Sequence, residues 1–559
     1  MDKTADQVTA GTGARLLADA LVANRVGRVF CVPGESYLAL LDALCDTTVA
    51  VTVFRQEGGA AMAAEAWGKL TGRPGIAMVT RGPGATNASA GLHVGRQDST
   101  PMILLVGQVG RRMRGREAFQ EIDFRRMFGE VAKWVEEVDR AERVPEVISR
   151  AFHEATSGRP GPVVLALPED MLRDETDAAG ARPWVQVETW PGAAQMAQLQ
   201  KMLWAASRPV AILGGSRWSE TAVAAFRRFA ERFDLPVACS FRRQMLFDHD
   251  HPSHVGEVGL APNPDLVERV RGADVLLLVG GRLSEMASSG YTLIDIPEPG
   301  PALVHVHPGA EELGRLYRPT LAINASPTAF VAALEGLQPP ATIPWSAATE
   351  AARASYLAWS TPIDNPGPVQ LSRIVAWLRD RLPDDALIAN GAGNYSAWVQ
   401  RFFRFRRYGT QLAPTSGSMG YGLPAAIAAK LHDPGRIVVC FAGDGDFQMT
   451  AQEFATAAQY GAAIVVVVVN NGIHGTIRMH QEREYPGRVI ATDLVNPDFA
   501  ALARAHGGHG EQVGRTEDFA AAFERALGSG KPAIIDLAFD PEAISPSATL
   551  SGMRGKGKR

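Results

Sequence analysis

Two glycine-rich segments in the last third of the chain carry side chains that could bind a metal ion and a phosphate group. Asp444 lies in residues 442–447, directly after an apolar run, and Asn471 follows the next apolar run. Glycines there let backbone N–H groups approach an anion at a helix start. Carboxylate and amide oxygens suit Mg²⁺ and leave positions open for phosphate oxygens. These residue types indicate a pocket for a diphosphate held through Mg²⁺.

The spacing of Asp444 and Asn471 is typical of one strand, helix and strand unit. Loops at the carboxyl ends of parallel strands emerge at the same edge of the sheet, which is where ligands bind in open α/β sheets. We therefore expect the two side chains to share one ion.

The elements that must position these loops recur in three parts of the 559 residues. Short continuous apolar runs alternate with helical patterns, which is typical of parallel strands covered on both faces. We predict an α/β protein of three doubly wound parallel-sheet domains, with looser segments at 173–191 and 338–368. The predicted domains are residues 1–180, 192–338 and 366–545, followed by a basic tail at 546–559.

Longer motifs point to a family. Residues 417–424 read GSMGYGLP, and the pattern continues through Asp444 to Asn471. Matching segments in the first domain are VPGE at 32–35, RQEGGAA at 55–61, TRGPGATN at 80–87 and AFQE at 118–121. Together they resemble the thiamine-diphosphate (ThDP) enzymes of the acetohydroxyacid (acetolactate) synthase and 2-oxo-acid decarboxylase family, over nearly the whole chain and in the same domain order.

The resemblance implies a role for each of several side chains. The first domain binds the pyrimidine ring of ThDP, and Glu57 matches the glutamate that hydrogen-bonds the ring and promotes proton transfer. Met419 matches the bulky apolar residue that bends the cofactor, and Gln120 faces the substrate. Asp444 and Asn471 hold Mg²⁺ through their side chains, and Ile473 holds it through its carbonyl. The residues implied in cofactor binding are Pro33, Gly34, Pro83, Asn87, Gly391, Gly393, Asn394, Gly417, Ser418, Met419, Gly443, Asp444, Gly445, Asp446, Asn471, Ile473, His474 and Gly475.

Taken singly, these residues have ordinary structural interpretations. A glutamate in a first helical turn is favoured by the helix dipole, a methionine usually packs in a core, and an aspartate is common in turns. The joint spacing of the motifs favours the functional interpretation for Glu57, Met419 and Asp444. For Gln120 and His474 a structural role stays open beside the functional one.

The resemblance leaves several activities open. Residues 106–113 lack the adjacent histidine pair that pyruvate decarboxylases use, which favours carboligation after decarboxylation of a 2-oxo acid. Residues 470–478 depart from the usual synthase pattern, so the donor and the carbonyl acceptor stay open. The alternatives are a lyase or decarboxylase similar to benzoylformate decarboxylase or an acyl-CoA lyase, and a non-catalytic ThDP-binding protein.

The family also implies a partner and a further cofactor. Its members build each site from the pyrimidine domain of one chain and the diphosphate domain of another, which implies a homodimer or homotetramer. The central domain resembles the one that carries FAD in acetohydroxyacid synthases and pyruvate oxidases, with glycine pairs at 214–215 and 280–281. Many related central domains are empty, so FAD stays open.

Composition excludes other classes of partner. The formal net charge is -4, which gives no reason to expect nucleic acid or an anionic membrane. The longest apolar run, 462–469, is far shorter than the about 20 residues of a membrane helix, and residues 1–4 show no export signal. The four cysteines form no C-x-x-C pair, so we expect a protein of the reducing cytoplasm.

Three further groups of residues are predicted to have ordinary structural roles. His249, His251 and His254 could suggest a metal site, but their segment is polar and is predicted to be a solvated loop. His305 and His307 alternate along a strand, which favours a structural role. Residues 554–559 carry four basic side chains and are predicted to form a solvated chain end without an assigned function.

Overall fold

The computed structural model describes residues 11–556, which form two compact units divided between Val187 and Glu188. The strands of the first unit are β1 (Gly11–Thr12), β2 (Arg28–Cys31), β3 (Ala50–Val53), β4 (Gly75–Val79), β5 (Met102–Gln108), β6 (Trp134–Glu137), β7 (Pro162–Pro168) and β8 (Glu175–Thr176). Its helices are α1 (Gly13–Ala23), α2 (Leu38–Cys45), α3 (Glu57–Thr71), α4 (Pro83–Asp98), α5 (Phe124–Phe128) and α6 (Val144–Thr156).

Six strands of this unit form one parallel sheet in the order β3-β2-β4-β5-β7-β6, and β1 pairs with β8 in an antiparallel ribbon. Every residue of β4, β5 and β7 is buried, because helices cover both faces of the sheet. The carboxyl ends of β2, β3, β4 and β5 lead into the segments that carry the motifs of the first domain.

The second unit contains two further six-stranded sheets. Its strands are β9 (Pro209–Leu213), β10 (Val237–Ser240), β11 (His254–Val258), β12 (Val275–Val279), β13 (Ala302–His307), β14 (Leu321–Asn324), β15 (Leu387–Asn390), β16 (Gln411–Leu412), β17 (Val438–Gly443), β18 (Val465–Asn470), β19 (His509–Val513) and β20 (Ala533–Ala538). All pairings are parallel, in the orders β11-β10-β9-β12-β13-β14 and β16-β15-β17-β18-β20-β19.

Helices separate these strands along the chain. They are α7 (Ala193–Ala205), α8 (Glu220–Phe233), α9 (Pro264–Arg271), α10 (Pro327–Leu334), α11 (Ser346–Trp359), α12 (Leu371–Arg381), α13 (Tyr395–Phe402), α14 (Gly422–His432), α15 (Asp444–Gln448), α16 (Phe454–Gln459), α17 (Gly475–Glu484), α18 (Phe499–Ala505), α19 (Thr516–Gly528) and α20 (Leu550–Lys556). The three parallel sheets with flanking helices confirm the predicted α/β class. The exact domain limits 1–180, 192–338 and 366–545 stay predictions.

The segment 338–368, expected to be loose, contains the helix α11. Thr349, Ala352 and Tyr356 are buried on one face of it, and the Thr349 hydroxyl donates to the Asp234 carbonyl at 2.9 Å. Prolines lie on both sides of this helix, and they are typical of loops. The whole segment was therefore predicted to be loose, although residues 346–359 carry the spacing of an amphipathic helix.

The solvated loop predicted for His249 and His254 is wrong. Both rings are buried, and they stack with centroids 4.1 Å apart and planes 15° from parallel. Burial lowers the pKa of His249 to about 3 and that of His254 well below its usual value, so both pack as neutral aromatic rings. The sulfur of Cys239 lies within 4.8 Å of their ring nitrogens. Stacked rings direct their lone pairs in parallel rather than at one point, and we assign no metal there.

The predicted solvated end of the chain begins with an ordered helix. Within α20, Arg554 pairs with the buried carboxylate of Glu482 through two nitrogens, at 2.5 and 2.9 Å. Residues 557–559 and residues 1–10 lie outside the described residues. All four cysteines are free, and within 11–556 we find no helix both long and apolar enough to cross a bilayer.

Candidate active site

Glu57 is the first residue of α3 and is oriented by a neighbouring helix. The Asn87 side-chain amide, on α4, donates to Glu57 Oε2 at 2.9 Å. A Cβ added at Gly84 would lie 3.2 Å from Glu57 Oε1, so the glycine permits this close approach. Gln56 precedes the helix, and its side-chain oxygen accepts from the backbone N–H of Gly59. The carboxylate is therefore held in one direction at a capped helix start.

The other site residues predicted in the first unit surround the turn before α4. A Cβ at Gly34 would lie 2.5 Å from Thr80 Cβ, so the Pro33–Gly34 turn packs directly on the strand end that leads to Pro83. Gly82 has φ +59°, and a Cβ there would lie 2.7 Å from the Cβ of Gln120. The structure therefore places Gly34 and Gln120 beside the segment that leads to Pro83.

Arg81 fixes the segment that carries Gln120. Its Nε donates to the carbonyl of Phe119 at 3.2 Å, and its Nη1 pairs with Glu169 at 3.1 Å. Gln120 has φ +65° and is half-buried. A buried arginine thus holds this irregular backbone next to the Gly82–Pro83 turn, which places Gln120 where the sequence motifs converge.

In the second unit, Asp444 begins α15 at the carboxyl end of β17. Its side chain is buried; Oδ1 accepts from the N–H of Gly445 at 2.9 Å and Oδ2 from the N–H of Gly472 at 2.8 Å. The neighbouring strand β18 leads directly to Asn471, whose Oδ1 accepts from the N–H of Ile473 at 3.3 Å. The expected meeting of the two loops at one sheet edge is therefore observed, with oxygen donors of the kind that Mg²⁺ prefers.

Asn496 is a site residue that the sequence analysis missed. Its side-chain amide donates to Asp444 Oδ2 at 2.7 Å and to Asn470 Oδ1 at 2.8 Å. Its own Oδ1 accepts from Gln448 Nε2 at 2.8 Å. Asn496 lies in a loop without a glycine-rich motif, so its type and position carry no signal in a single sequence.

Asp446 belongs to one of the predicted cofactor loops, and its buried side chain bonds to the segments that carry two others. Oδ2 accepts from the Tyr395 hydroxyl at 2.5 Å, and Oδ1 accepts from the N–H of Gly420 at 2.6 Å and that of Ala392 at 3.4 Å. Burial raises the pKa of Asp446 to about 6, although these donors act in the opposite direction. A Cβ at Gly391 would lie 2.2 Å from Oδ1, so only glycine fits above this carboxylate.

The remaining predicted residues line the same edge. Thr476 donates to Asn394 Oδ1 at 2.9 Å, which ties the 391–394 loop to α17. Gly417 is exposed, with φ +68°, whereas Ser418 and Met419 are half-buried. The close approaches around β17 and α17 are made by glycines: a Cβ would lie 3.2 Å from the Tyr395 ring at Gly443, 2.8 Å from the His474 ring at Gly445 and 3.1 Å from Ile544 at Gly475. The residues predicted in the second unit thus gather around one edge, and their contacts with a cofactor stay predictions.

Comparisons with known proteins agree with this arrangement. Three family models match in order: the N-terminal thiamine pyrophosphate (TPP) binding domain at 11–127, the TPP-enzyme central domain at 196–334 and the C-terminal TPP binding domain at 391–537. The chain is 30% identical to the acetolactate synthase isozyme 2 large subunit of Escherichia coli K12, over 97% of this chain and 99% of that protein. It is 31% identical to the acetolactate synthase large subunit of Parasynechococcus marenigrum (96% and 88%) and 29% identical to the probable acetolactate synthase large subunit of Methanocaldococcus jannaschii (97% and 94%).

Proposed function

The chain belongs to the thiamine pyrophosphate enzyme family that includes the acetolactate synthase large subunits, and from this premise we propose that it decarboxylates a 2-oxo acid and ligates the remaining fragment to a carbonyl acceptor. The observation that carries the proposal is the meeting of Asp444 with the Asn470–Gly472 segment at neighbouring strand ends, in a chain whose first unit orients Glu57 at a helix start.

The donor set at this edge fits a diphosphate held through Mg²⁺. Asp444, Asn471 and the carbonyl of Ile473 supply hard oxygen ligands, which is the chemistry that Mg²⁺ takes beside phosphate oxygens. A Cβ at Gly391, Gly443 or Gly445 would meet a neighbouring side chain, so these loops pack closely against one another at this edge. We assign metal binding to those three residues and diphosphate binding to the loops at 391–394, 417–419 and 443–446, together with residues 471–475.

ThDP, when bound, would supply a nucleophilic carbon that adds to the substrate carbonyl and a thiazolium ring that accepts the electron pair left when CO₂ departs. We assign to Glu57, oriented by Asn87, the task of holding a proton at the pyrimidine ring, within a pyrimidine site that also includes Pro33, Gly34 and Pro83. Met419 supports the bent shape of the cofactor through its bulk. Gln120 faces the substrate. We propose a cytoplasmic homodimer or homotetramer, because the resemblance implies that a second chain completes each site.

The residues that suggested FAD do not fit an open dinucleotide loop. A Cβ at Gly215 would lie 1.8 Å from the Gly280 carbonyl oxygen, so the two glycine pairs pack against each other. Trp218 Nε1 donates to the Gly214 carbonyl at 2.8 Å, and a ring nitrogen of the buried His305 lies 2.9 Å from the Gly281 carbonyl. We derive no step through a flavin, and a visible absorption spectrum of the purified protein tests this directly.

A panel of 2-oxo acids tests the proposed function, scored for CO₂ and for ligation products with and without ThDP and Mg²⁺. We expect CO₂ release that requires both, and a product longer than the donor fragment. Glu57→Gln should abolish turnover and leave the circular dichroism of the fold unchanged, whereas Glu154→Gln on the surface of α6 should have no effect. An aldehyde as sole product indicates a decarboxylase, and ThDP binding without turnover indicates a non-catalytic protein. Full activity of Glu57→Gln refutes the assignment.

A further inference from the structure

Gly420 is held at both of its backbone hydrogen-bonding groups by two side chains of one short segment. Its N–H donates to Asp446 Oδ1 at 2.6 Å, and its carbonyl accepts from the Thr450 hydroxyl at 2.7 Å. Both side chains are buried. The N–H belongs to the Met419–Gly420 peptide group and the carbonyl to the Gly420–Tyr421 peptide group, so this segment restrains the chain on both sides of Gly420.

The space around Gly420 admits no other residue without movement. Its φ is +80°, and a Cβ there would lie 2.9 Å from Met449 Cβ and 3.0 Å from Thr450 Cγ2. The preceding residues are less enclosed, because Gly417 is exposed and Met419 is half-buried. The contacts at Gly420 therefore attach a partly exposed loop to the core of the sheet.

We propose that Asp446 and Thr450 are positioning residues that clamp Gly420 and thereby fix the backbone of Met419. The role of Met419 rests on the proposed function, whereas the clamp is a property of the chain itself. Misplacement of a supporting group by about 1 Å can cost about a hundredfold in rate, so a loosened Met419 should lower turnover.

The clamp occupies the side chain of Asp446, so within the proposed diphosphate loop 443–446 this residue offers its backbone rather than its carboxylate. Both of its oxygens already accept protein donors, including the Tyr395 hydroxyl. A buried carboxylate pointing at a diphosphate would in addition meet a charge of its own sign. The Asp446 carboxylate instead joins two loops, because it accepts hydrogen bonds from the backbone N–H groups of Ala392 and Gly420.

The test compares two isosteric changes. Thr450→Val removes the hydroxyl that holds Gly420, and Thr349→Val removes a buried hydroxyl that bonds the Asp234 carbonyl away from the site. Hydrogen exchange of the peptide spanning residues 417–422 is measured by mass spectrometry without cofactor. Steady-state kinetics and calorimetric titration of ThDP with Mg²⁺ follow.

We expect Thr450→Val to speed exchange at 417–422 and to lower kcat about tenfold, the effect of one lost hydrogen bond that holds a reacting geometry. The KM of the 2-oxo acid should change less than kcat does, and Thr349→Val should match wild type in both measurements. Thr450→Ser, which keeps the hydroxyl, should restore both. If Thr450→Val does not fold, Asp446→Leu, which removes both acceptor oxygens, tests the N–H side by the same exchange measurement.

Equal exchange and equal kcat in Thr450→Val and Thr349→Val would overturn the clamp. Faster exchange in Thr450→Val together with a kcat equal to that of the wild type would overturn the positioning role of the clamp. Failure of the wild-type protein to bind ThDP or to turn over would instead refute the proposed function, and the exchange data would still decide whether Gly420 is clamped.

Discussion

Asn87 and Glu57 are joined by a 2.9 Å hydrogen bond near the N-terminal ends of two helices, α4 and α3. The amide holds one oxygen of the carboxylate, so the other oxygen keeps a defined direction. Glu57, to which we assign the role of holding a proton, is thus oriented by Asn87, which has no acid–base chemistry of its own.

Asn87→Ala should lower kcat/KM about tenfold, because a hydrogen bond to a charged group is lost and the carboxylate gains rotational freedom. The measurement is steady-state kinetics at saturating ThDP and Mg²⁺. Ser89→Ala, on the same helix, removes an exposed hydroxyl that bonds the Thr86 carbonyl and should leave kcat/KM unchanged. Equal kinetics in the two variants would show that Glu57 needs no such support.

Asn496→Ala should weaken the binding of Mg²⁺ in the presence of ThDP by roughly 10–100-fold, because residues that orient a metal ligand usually carry that much affinity. Its amide fixes one oxygen of Asp444. Titration of activity with Mg²⁺ gives the affinity. Gln448→Ala, which removes only the donor to Asn496, should have a smaller effect. An unchanged Mg²⁺ requirement in Asn496→Ala would contradict this role.

Stability should fall as the pH drops from about 6.5 toward 3, because His249 and His254 are buried in their neutral form. Their pKa values are lowered by folding, so the unfolded chain binds more protons below its own histidine pKa of about 6.5. Urea unfolding at pH 7.5 and 5.5 measures the change. The double variant His249→Phe, His254→Phe should flatten this dependence, and the exposed His480→Gln should not. A pH dependence that survives the double variant would assign the effect to other groups.

Glu482→Gln should release the helix α20 from α17. Arg554 holds the pKa of Glu482 at about 2, so the ion pair is present at neutral pH and is lost only as the pH falls from about 4.3 toward 2. Limited proteolysis at pH 7.5 should cut within 550–556 faster in this variant. Glu484→Gln, which lies in a surface pair with Arg483, serves as the control. Equal cutting would mean that apolar contacts alone hold the helix.

The sequence predicted the buried interior strands better than the sheet edges. Continuous apolar runs identify strands such as β4, β5, β9, β12 and β18, which are covered on both faces. The six edge strands of the three parallel sheets were missed, namely β3, β6, β11, β14, β16 and β19, and so were two interior strands, β10 and β15. Edge strands are short or carry polar residues, as in the HGEQV of β19, because one side of the ladder lacks a partner strand.

The residues of the candidate site likewise divide into those that the sequence predicts and those that it does not. Asp444 and Asn471 were predicted because their spacing follows from the strand and helix unit that positions them, whereas the glycines at 391, 393, 417 and 475 were predicted from the family resemblance. Asn496, Tyr395 and Thr450 act through contacts that only the folded chain creates. A single polar residue in a loop or helix belongs to no regular spacing, so no sequence pattern predicts its role.

The anchors at Asp444 and Asn471 follow β17 and β18, which are interior strands of their sheet. The segment that continues beyond them exposes apolar side chains, including Ile477, Ile490 and Val495. A substitution of one of these three exposed side chains alters a surface and leaves the strands that hold the anchors in place. Selection for a new carbonyl compound could therefore act on these side chains while the cofactor site is inherited unchanged.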